Sequence, residues 1–247
     1  MLYMVLKKTV VGPLMSRLVN QQVEGVENLP ASGAILASNH LAFCDSIFLP
    51  LAVHQQVYFL AKSDYFTGKG AKGALSRWFF TAVGQLPLDR SGGAKSQASL
   101  DGGAQKLQEG GYLGIYPEGT RSPDGRAYRP KLGVARLALT QRVPVVPIGQ
   151  IGNNDVQPSG TNKLKLRKNG KKVEIRTVIG EPLDFSEYWG RAKEHKVQRI
   201  VADRIAEAIR ELSEQEYVPL YASDVKNLMV EKNISADQAV ETLLNRK

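Results

Sequence analysis

The chain has 247 residues, 43% of them hydrophobic, enough for a large domain with a sizeable core and too many for a disordered segment. Lysine and arginine total 33 against 24 acidic residues, a formal charge of +9, so an anionic partner is expected: nucleic acid, an anionic membrane or a phosphorylated metabolite. A single cysteine, Cys44, excludes an intramolecular disulfide, and His40, His54 and His195 share no ligand spacing with it, so no zinc site is expected.

No apolar run reaches the roughly 18 residues of a spanning helix. The first twenty residues carry Leu2, Leu6, Val10, Leu14 and Leu18 on one helical stripe, with Tyr3, Val11 and Met15 beside it. Lys7, Lys8 and Arg17 interrupt the apolar residues, and Pro13 predicts a kink or a restart. A signal peptide would have a cleaner apolar centre and a small-residue cleavage site. Residues 1–20 therefore read as an interfacial amphipathic anchor, with a helix packed on the domain's own core as the competing reading.

Beyond it, strand-like and helical runs alternate. Strands are predicted at Ala34–Ser38, Val57–Ala61, Gln85–Leu88, Tyr112–Tyr116 and Val143–Ile148. Helices are predicted at Ser46–Val53 despite Pro50, then at Gly73–Val83, Lys95–Glu109 and Gly133–Thr140. The alternation predicts an α/β sheet with helices on its faces. Asn169-Gly170 between Leu164–Arg167 and Val173–Ile179 predicts a hairpin, with Leu164, Leu166, Val173 and Ile175 on one face and Lys163, Lys165, Arg167, Lys172 and Arg176 on the other. An amphipathic helix comes next at Val197–Leu212. Past Pro219 two short helices are predicted, Asp224–Glu231 and Ala236–Leu244, the second capped by Ser235. The domain reading is thus 1–20 as anchor, 21–218 as the main domain and 219–247 as a small helical appendage.

Chemistry-bearing residues cluster just past predicted strands, where α/β proteins place their sites. Asn39-His40-Leu41-Ala42-Phe43-Cys44-Asp45 follows the first buried strand. Residues five apart on a regular helix lie about 140° out of line. His40 and Asp45 can meet only if 41–44 turn and Asp45 begins the next helix, and then Asp45 would hold the imidazole as a base. Tyr116-Pro117-Glu118-Gly119-Thr120-Arg121-Ser122 follows another strand. Pro117 and Gly119 suit a special turn, and Arg121 is a donor fork suited to phosphate. Gly84-Gln85-Leu86-Pro87-Leu88-Asp89-Arg90 places an arginine past a third strand, and Val143-Pro144-Val145-Val146-Pro147-Ile148 is an apolar strand bracketed by prolines. Taken singly, Arg90 also suits an ordinary surface arginine and His40–Asp45 a structural pair.

These blocks, NHLAFCD, GQLPLDR, YPEGTRS and VPVVPI in this order, resemble the glycerolipid acyltransferase family, specifically the PlsC-like 1-acylglycerol-3-phosphate acyltransferases. The resemblance spans about residues 20–185. Tyr116 stands where Phe is common, and Pro87 where an aliphatic or aromatic residue is common. The family's fold implies a mixed, largely parallel central sheet flanked by helices. The resemblance implies His40 as general base, Asp45 as its support, and Arg90 and Arg121 as ligands of the acceptor phosphate. Glu118, Gly119 and Thr120 would shape the acceptor pocket. Lys62 is a further candidate phosphate contact, with a solvated lysine as its alternative. No metal, no cofactor and no acyl-enzyme are implied, so Cys44 is a packing residue.

The expected reaction is acyl transfer from acyl-CoA or acyl carrier protein to the free hydroxyl of 1-acylglycerol 3-phosphate, giving phosphatidic acid. The expected place is the cytoplasmic face of the cell membrane, peripheral or monotopic, with Lys69, Lys72 and Arg77 beside Trp78, Phe79 and Phe80 as a second membrane contact. Competing readings are an acyltransferase for glycerol 3-phosphate or another lysolipid, and a non-catalytic lipid-binding protein. A nucleic-acid partner, suggested by charge alone, lacks any supporting signature.

Overall fold

The computed structural model describes residues 2–62, 64–82, 84–88, 93–159, 161 and 163–245. The strands are β1 (Asn20–Glu24), β2 (Ile35–Ser38), β3 (Val57–Lys62), β4 (Gln85–Leu88), β5 (Tyr112–Ile115), β6 (Ala127–Tyr128), β7 (Val145–Ile151), β8 (Arg167–Lys168), β9 (Lys171–Lys172), β10 (Glu174–Ile179) and β11 (Tyr217–Val218). The α-helices are α1 (Leu2–Leu6), α2 (Gly12–Leu18), α3 (Asp45–Ala52), α4 (Asp64–Thr67), α5 (Gly70–Ala82), α6 (Gly93–Gln108), α7 (Gly133–Gln141), α8 (Asn153–Val156), α9 (His195–Ser213), α10 (Ala222–Lys232) and α11 (Ala236–Leu244). Seven strands make one sheet in the order β1-β10-β7-β2-β5-β3-β4. From β7 to β4 all neighbours run parallel, while β10 is antiparallel to β7 and parallel to β1. The sheet is therefore mixed and mostly parallel, with helices on its faces, as the family's fold implied.

Period-2 alternation divides the core between the two faces. On β2, Ile35 and Ala37 pack with the buried residues of α7 and α9, whereas Leu36 packs with Leu49 of α3 and with Val146 and Ile148 of β7. A central parallel strand buried on both sides needs apolar residues throughout, and Ile35, Leu36 and Ala37 satisfy that. On α9, Val197, Val201, Ile205 and Ile209 recur every fourth residue and are all buried, which explains why a helix so polar elsewhere lies along β7. On β5, Gly114 leaves room for the Phe59 ring; a Cβ there would lie 2.4 Å from a ring carbon.

Three local features depart from the sequence expectations. The N-terminal helix does not keep one register: Lys7–Val11 is a π-turn between α1 and α2, with Pro13 in the first turn of α2. Its wider i→i+5 turn rotates α2 relative to α1, so the predicted stripe is split. Leu2, Val10 and Leu14 are exposed together with Val5, while Leu6 and Leu18 are half-buried. The inner face is pinned by the buried Tyr3, whose hydroxyl accepts from the Val57 N–H at 3.5 Å, and by Lys7, whose ammonium donates to the Val53 carbonyl. Burial lowers the Lys7 ammonium to about 8. At the hairpin, Asn169 (φ 52°) and Gly170 (φ 77°) form the predicted two-residue turn between β8 and β9. Leu164 is nevertheless 60% exposed, because pairing begins only at Arg167 and nothing holds Leu164 to the inner face. Finally, the strand predicted at Val143–Ile148 begins at Val145 and runs on to Ile151, carrying the chain further toward the site.

The C-terminal helices α10 and α11 bury Val225, Leu228, Ala239 and Val240 against Tyr128, with Val218 and Leu220 in the same cluster. The short strand β11 pairs with β6, and Arg126 reaches Asp237 at 2.8 Å. Ser235 caps α11 as predicted and forms a full capping box with Gln238. These contacts fasten the tail to the segment after Arg121.

Candidate active site

The carboxyl ends of three adjacent strands, β5, β2 and β7, deliver the site. Past β2 the chain turns at Phe43 and Cys44 and enters α3 at Asp45. That turn brings His40 back on Asp45, with Nδ1 of the ring 2.8 Å from Oδ2. Asp45 is fully buried, and its charge is satisfied by fixed donors. Oδ2 also accepts the backbone N–H groups of Leu41 at 2.6 Å and Ala42 at 2.8 Å, and Oδ1 accepts from Asn153 Nδ2 at 2.7 Å. With these donors fixed around it, Oδ2 accepts the Nδ1 proton of His40, which leaves Nε2 as the basic nitrogen. The His40 side chain is 16% exposed, so the pair opens outward at the imidazole.

The ring is held from the side as well. Tyr116, the first residue past β5, stacks on His40 at 3.9 Å with planes 9° apart, and its hydroxyl lies 3.1 Å from Ser46 Oγ. Burial keeps that phenol neutral, well above its ordinary range. Tyr116 in turn stacks on Phe59 at 5.6 Å. Asn153, immediately past β7, donates to Gln150 Oε1 at 2.9 Å as well as to Asp45. Gln150 donates to Ser38 Oγ at 3.2 Å, and its backbone exchanges hydrogen bonds with the Asn39 amide. Asn39 passes to Gln215 Oε1 at 2.8 Å, and Gln215 donates to the Gly125 carbonyl. A buried polar chain thus links the His40–Asp45 pair to the loop after Arg121.

That loop is built to double back. Gly119 takes φ 75°, a left-handed conformation open to glycine, and its N–H donates to the Tyr116 carbonyl at 3.0 Å. Ser122 N–H then reaches the His40 carbonyl at 2.7 Å. Glu118 points inward and is only 6% exposed, with Oε2 unpartnered among the described residues. Burial pushes its carboxyl up to about 8; the backbone of Tyr128 and His40 opposes the rise, Asp45 adds to it and Lys226 opposes it. At neutral pH it is mostly an uncharged acid.

Two cavities adjoin these residues. One of about 270 Å³ is lined by Leu41, Ala42 and Arg121 together with Thr161, Lys226 and Met229. The other, about 570 Å³, takes Asn39, Glu118, Tyr128 and Arg210. His40 lines neither, but its neighbours Leu41 and Ala42 form the wall of the smaller one, to which Arg121 also contributes. The structure thus brings His40, Asp45, Glu118, Gly119, Thr120 and Arg121 to one strand-end cluster. Lys62 ends β3 and is placed by its backbone alone. Arg90 lies outside the described residues. Cys44 is buried, and burial raises its thiol to about 12, so it is a neutral packing group. Among the described residues no cluster of His, Cys, Asp or Glu suited to a metal ion occurs.

Sequence reasoning missed Asn153, Ser46, Gln150 and Lys226 as site neighbours. Asn153 was hidden because the strand expected from the sequence ends at Ile148, five residues before it, whereas β7 runs on to Ile151. Lys226 had no signal, because it lies 105 positions from Arg121 on an ordinary-looking helix.

The family model described as Acyltransferase matches residues 20–150. The chain is 31% identical over 166 residues to a chloroplastic 1-acyl-sn-glycerol-3-phosphate acyltransferase of Arabidopsis thaliana, covering 66% of this chain and 44% of that one. It is 30% identical over 169 residues to the 1-acyl-sn-glycerol-3-phosphate acyltransferase of Bacillus subtilis (strain 168), covering 68% of this chain and 75% of that one. The chain spans less than half the length of the two chloroplastic relatives, from Arabidopsis thaliana and Brassica napus, that it matches. The crystal structure of the 1-acyl-sn-glycerophosphate (LPA) acyltransferase PlsC from Thermotoga maritima superposes with a TM-score of 0.62 at 24% identity, covering 85% of this chain and 79% of that one, a likeness of fold.

Proposed function

The chain belongs to the acyltransferase family, and from that premise we propose that it transfers a fatty acyl group from an acyl thioester to the free hydroxyl of 1-acylglycerol 3-phosphate, giving phosphatidic acid. The observation that carries the reading is the His40–Asp45 contact at 2.8 Å, with the acid buried and the imidazole at the surface. Nε2 removes the proton from the acceptor hydroxyl as its oxygen attacks the thioester carbonyl carbon. The C–O bond forms, the C–S bond breaks, and the proton on Nε2 passes to the departing thiolate. Asp45 holds the ring through Nδ1 and stabilises the imidazolium between those two transfers, as the acid of a hydrolase triad does. The substrate supplies the hydroxyl, so no serine of the protein is required.

Arg121 is the phosphate ligand in this reading, on the wall of the cavity that starts at Leu41. Glu118, Gly119 and Thr120, which precede Arg121 in the same loop, shape the acceptor pocket as the resemblance implies, and Arg90 and Lys62 are further phosphate contacts carried from it. The donor is acyl-CoA or acyl carrier protein. The names of the relatives support the acceptor, since several are 1-acyl-sn-glycerol-3-phosphate acyltransferases.

The protein works at a membrane surface, on the cytoplasmic face, because its acceptor's chain lies in the bilayer. No helix among the described residues is long and apolar enough to cross one. Support for peripheral binding comes from Leu2, Val5, Val10 and Leu14 on the outside of the N-terminal helical segment, from Trp78 of α5, and from Phe43 in the turn beside His40, all exposed. The net positive charge favours an anionic leaflet. The test is purified protein with labelled acyl-CoA or acylated carrier protein and a panel of lysophosphatidate, other lysolipids and glycerol 3-phosphate, with products resolved by mass. Phosphatidic acid is the expected main product. Acylation of glycerol 3-phosphate alone, or of lysolipids regardless of headgroup, would overturn the acceptor assignment.

A further inference from the structure

The small cavity beside His40 has a wall from an unexpected part of the chain. Helix α10 turns Lys226, Met229 and Val230 toward it, a spacing of three and four that puts all three on one helical face. The adjoining face, Ala222, Val225 and Leu228, is buried in the cluster around Tyr128, with Met229 packed against its edge, so the helix is fixed in rotation. Lys226 Nζ donates to Thr120 Oγ1 at 3.4 Å, directly beside Arg121. Among the described residues neither Lys226 nor Arg121 has a carboxylate at ion-pair distance. Burial and then the Arg121 guanidinium hold the Lys226 ammonium below its ordinary value, with Glu118 opposing. Glu118 itself is mostly uncharged at neutral pH, so it offsets little of that repulsion.

We propose that Lys226 of α10, which lies outside the matched stretch 20–150, joins Arg121 in a two-cation cradle for the phosphomonoester of the acceptor and so selects it over phosphodiester and neutral lysolipids. The inference rests on the function proposed above. Two cations facing one cavity without a fixed counter-anion are best matched by a dianion, and a phosphomonoester carries close to two charges near neutral pH. A phosphodiester offers one. Met229 and Val230 continue the same helical face away from Lys226, and Val230 is 84% exposed. An amphiphile held by its phosphate would run its glycerol and chain along that apolar strip.

The test is calorimetric titration of glycerol 3-phosphate, the soluble headgroup, into the full chain and into Lys226→Met, Lys226→Gln and Lys226→Arg variants of matched thermal midpoint. Loss of one charge-assisted contact should raise Kd roughly tenfold or more in the Met and Gln variants, with partial recovery in the Arg variant. In turnover assays KM for lysophosphatidate should rise by a similar factor at nearly unchanged kcat, while monoacylglycerol acylation stays as it was. No headgroup binding by the unaltered chain, an unchanged Kd in the Met variant, or an equal loss with monoacylglycerol would overturn the cradle. The two proposals fail separately. Binding through Lys226 without lysophosphatidate acylation removes the function and keeps the anion site; acylation indifferent to Lys226 keeps the function and removes the cradle.

Discussion

The two halves of the site are assembled in opposite ways. The His40–Asp45 pair is local: five residues apart, one turn, and an acid whose Oδ2 is satisfied by the amides of the turn itself. The anion cradle is distant: Arg121 comes from a loop past β5, Lys226 from a helix near the end of the chain, and only the packing of α10 on Tyr128 brings them together. Local construction sets the acid–imidazole contact within one turn of the chain. Distant construction makes a group whose geometry is hostage to the fold, and whose residues can be exchanged without disturbing the chemistry.

The largest effect should come from breaking the local half. His40→Ala is expected to lower kcat by roughly 10²–10⁴-fold with an unchanged melting curve, measured by acyl transfer from labelled acyl-CoA. Near-normal turnover would remove the base. Next comes the packing under the distant half. Leu228→Ala should cost about 2–5 kcal/mol of unfolding free energy in urea titrations, and should raise KM for the phosphate acceptor more than it lowers kcat. A fall in kcat alone would mean that α10 acts on the base instead.

Asn153→Ala tests how local the local half is, since it removes the side-chain donor that Asp45 receives from beyond another strand. A destabilisation of about 1–3 kcal/mol is expected, with a smaller loss of kcat than His40→Ala gives. The smallest effect belongs to Glu118→Gln. The Glu118 carboxyl has an ordinary value of 4.5 and is raised to about 8 in the fold. Between those values the unfolded chain has already lost a proton that the folded chain retains, so wild-type stability falls as pH rises through that window. The Gln variant, which titrates in neither state, should gain on wild type steadily over the same range and most at its upper end, read from urea titrations at several pH values. A difference that does not change with pH would show Glu118 to be ionised throughout.

The parts legible in the sequence were those in which neighbours in sequence are neighbours in space. Five strands of the sheet, β2, β3, β4, β5 and β7, came from short apolar runs, the hairpin from Asn169-Gly170, and the α11 cap from Ser235, whereas the polar edge strand β1 has no such run and was missed. The meeting of His40 with Asp45 was a conditional that the turn at Phe43–Cys44 satisfies. The features that were not legible depended on register or on distant packing. A π-turn at Lys7–Val11 shifts the N-terminal stripe without changing any residue type. Leu164 alternates correctly with its neighbours yet has no partner strand to hold it. Lys226 becomes noteworthy only when Tyr128 and Val225 are seen in one cluster.

The notch at Gly114 has a reach that its own surroundings conceal. It seats the Phe59 ring, Phe59 stacks on Tyr116, and Tyr116 stacks on His40. An added methyl group at that notch would shove the first ring of a three-ring column whose last member is the imidazole. The aim of the proton-accepting nitrogen thereby depends on a missing side chain on a sheet strand, where a one-carbon change would misaim the base and leave every reacting group chemically intact.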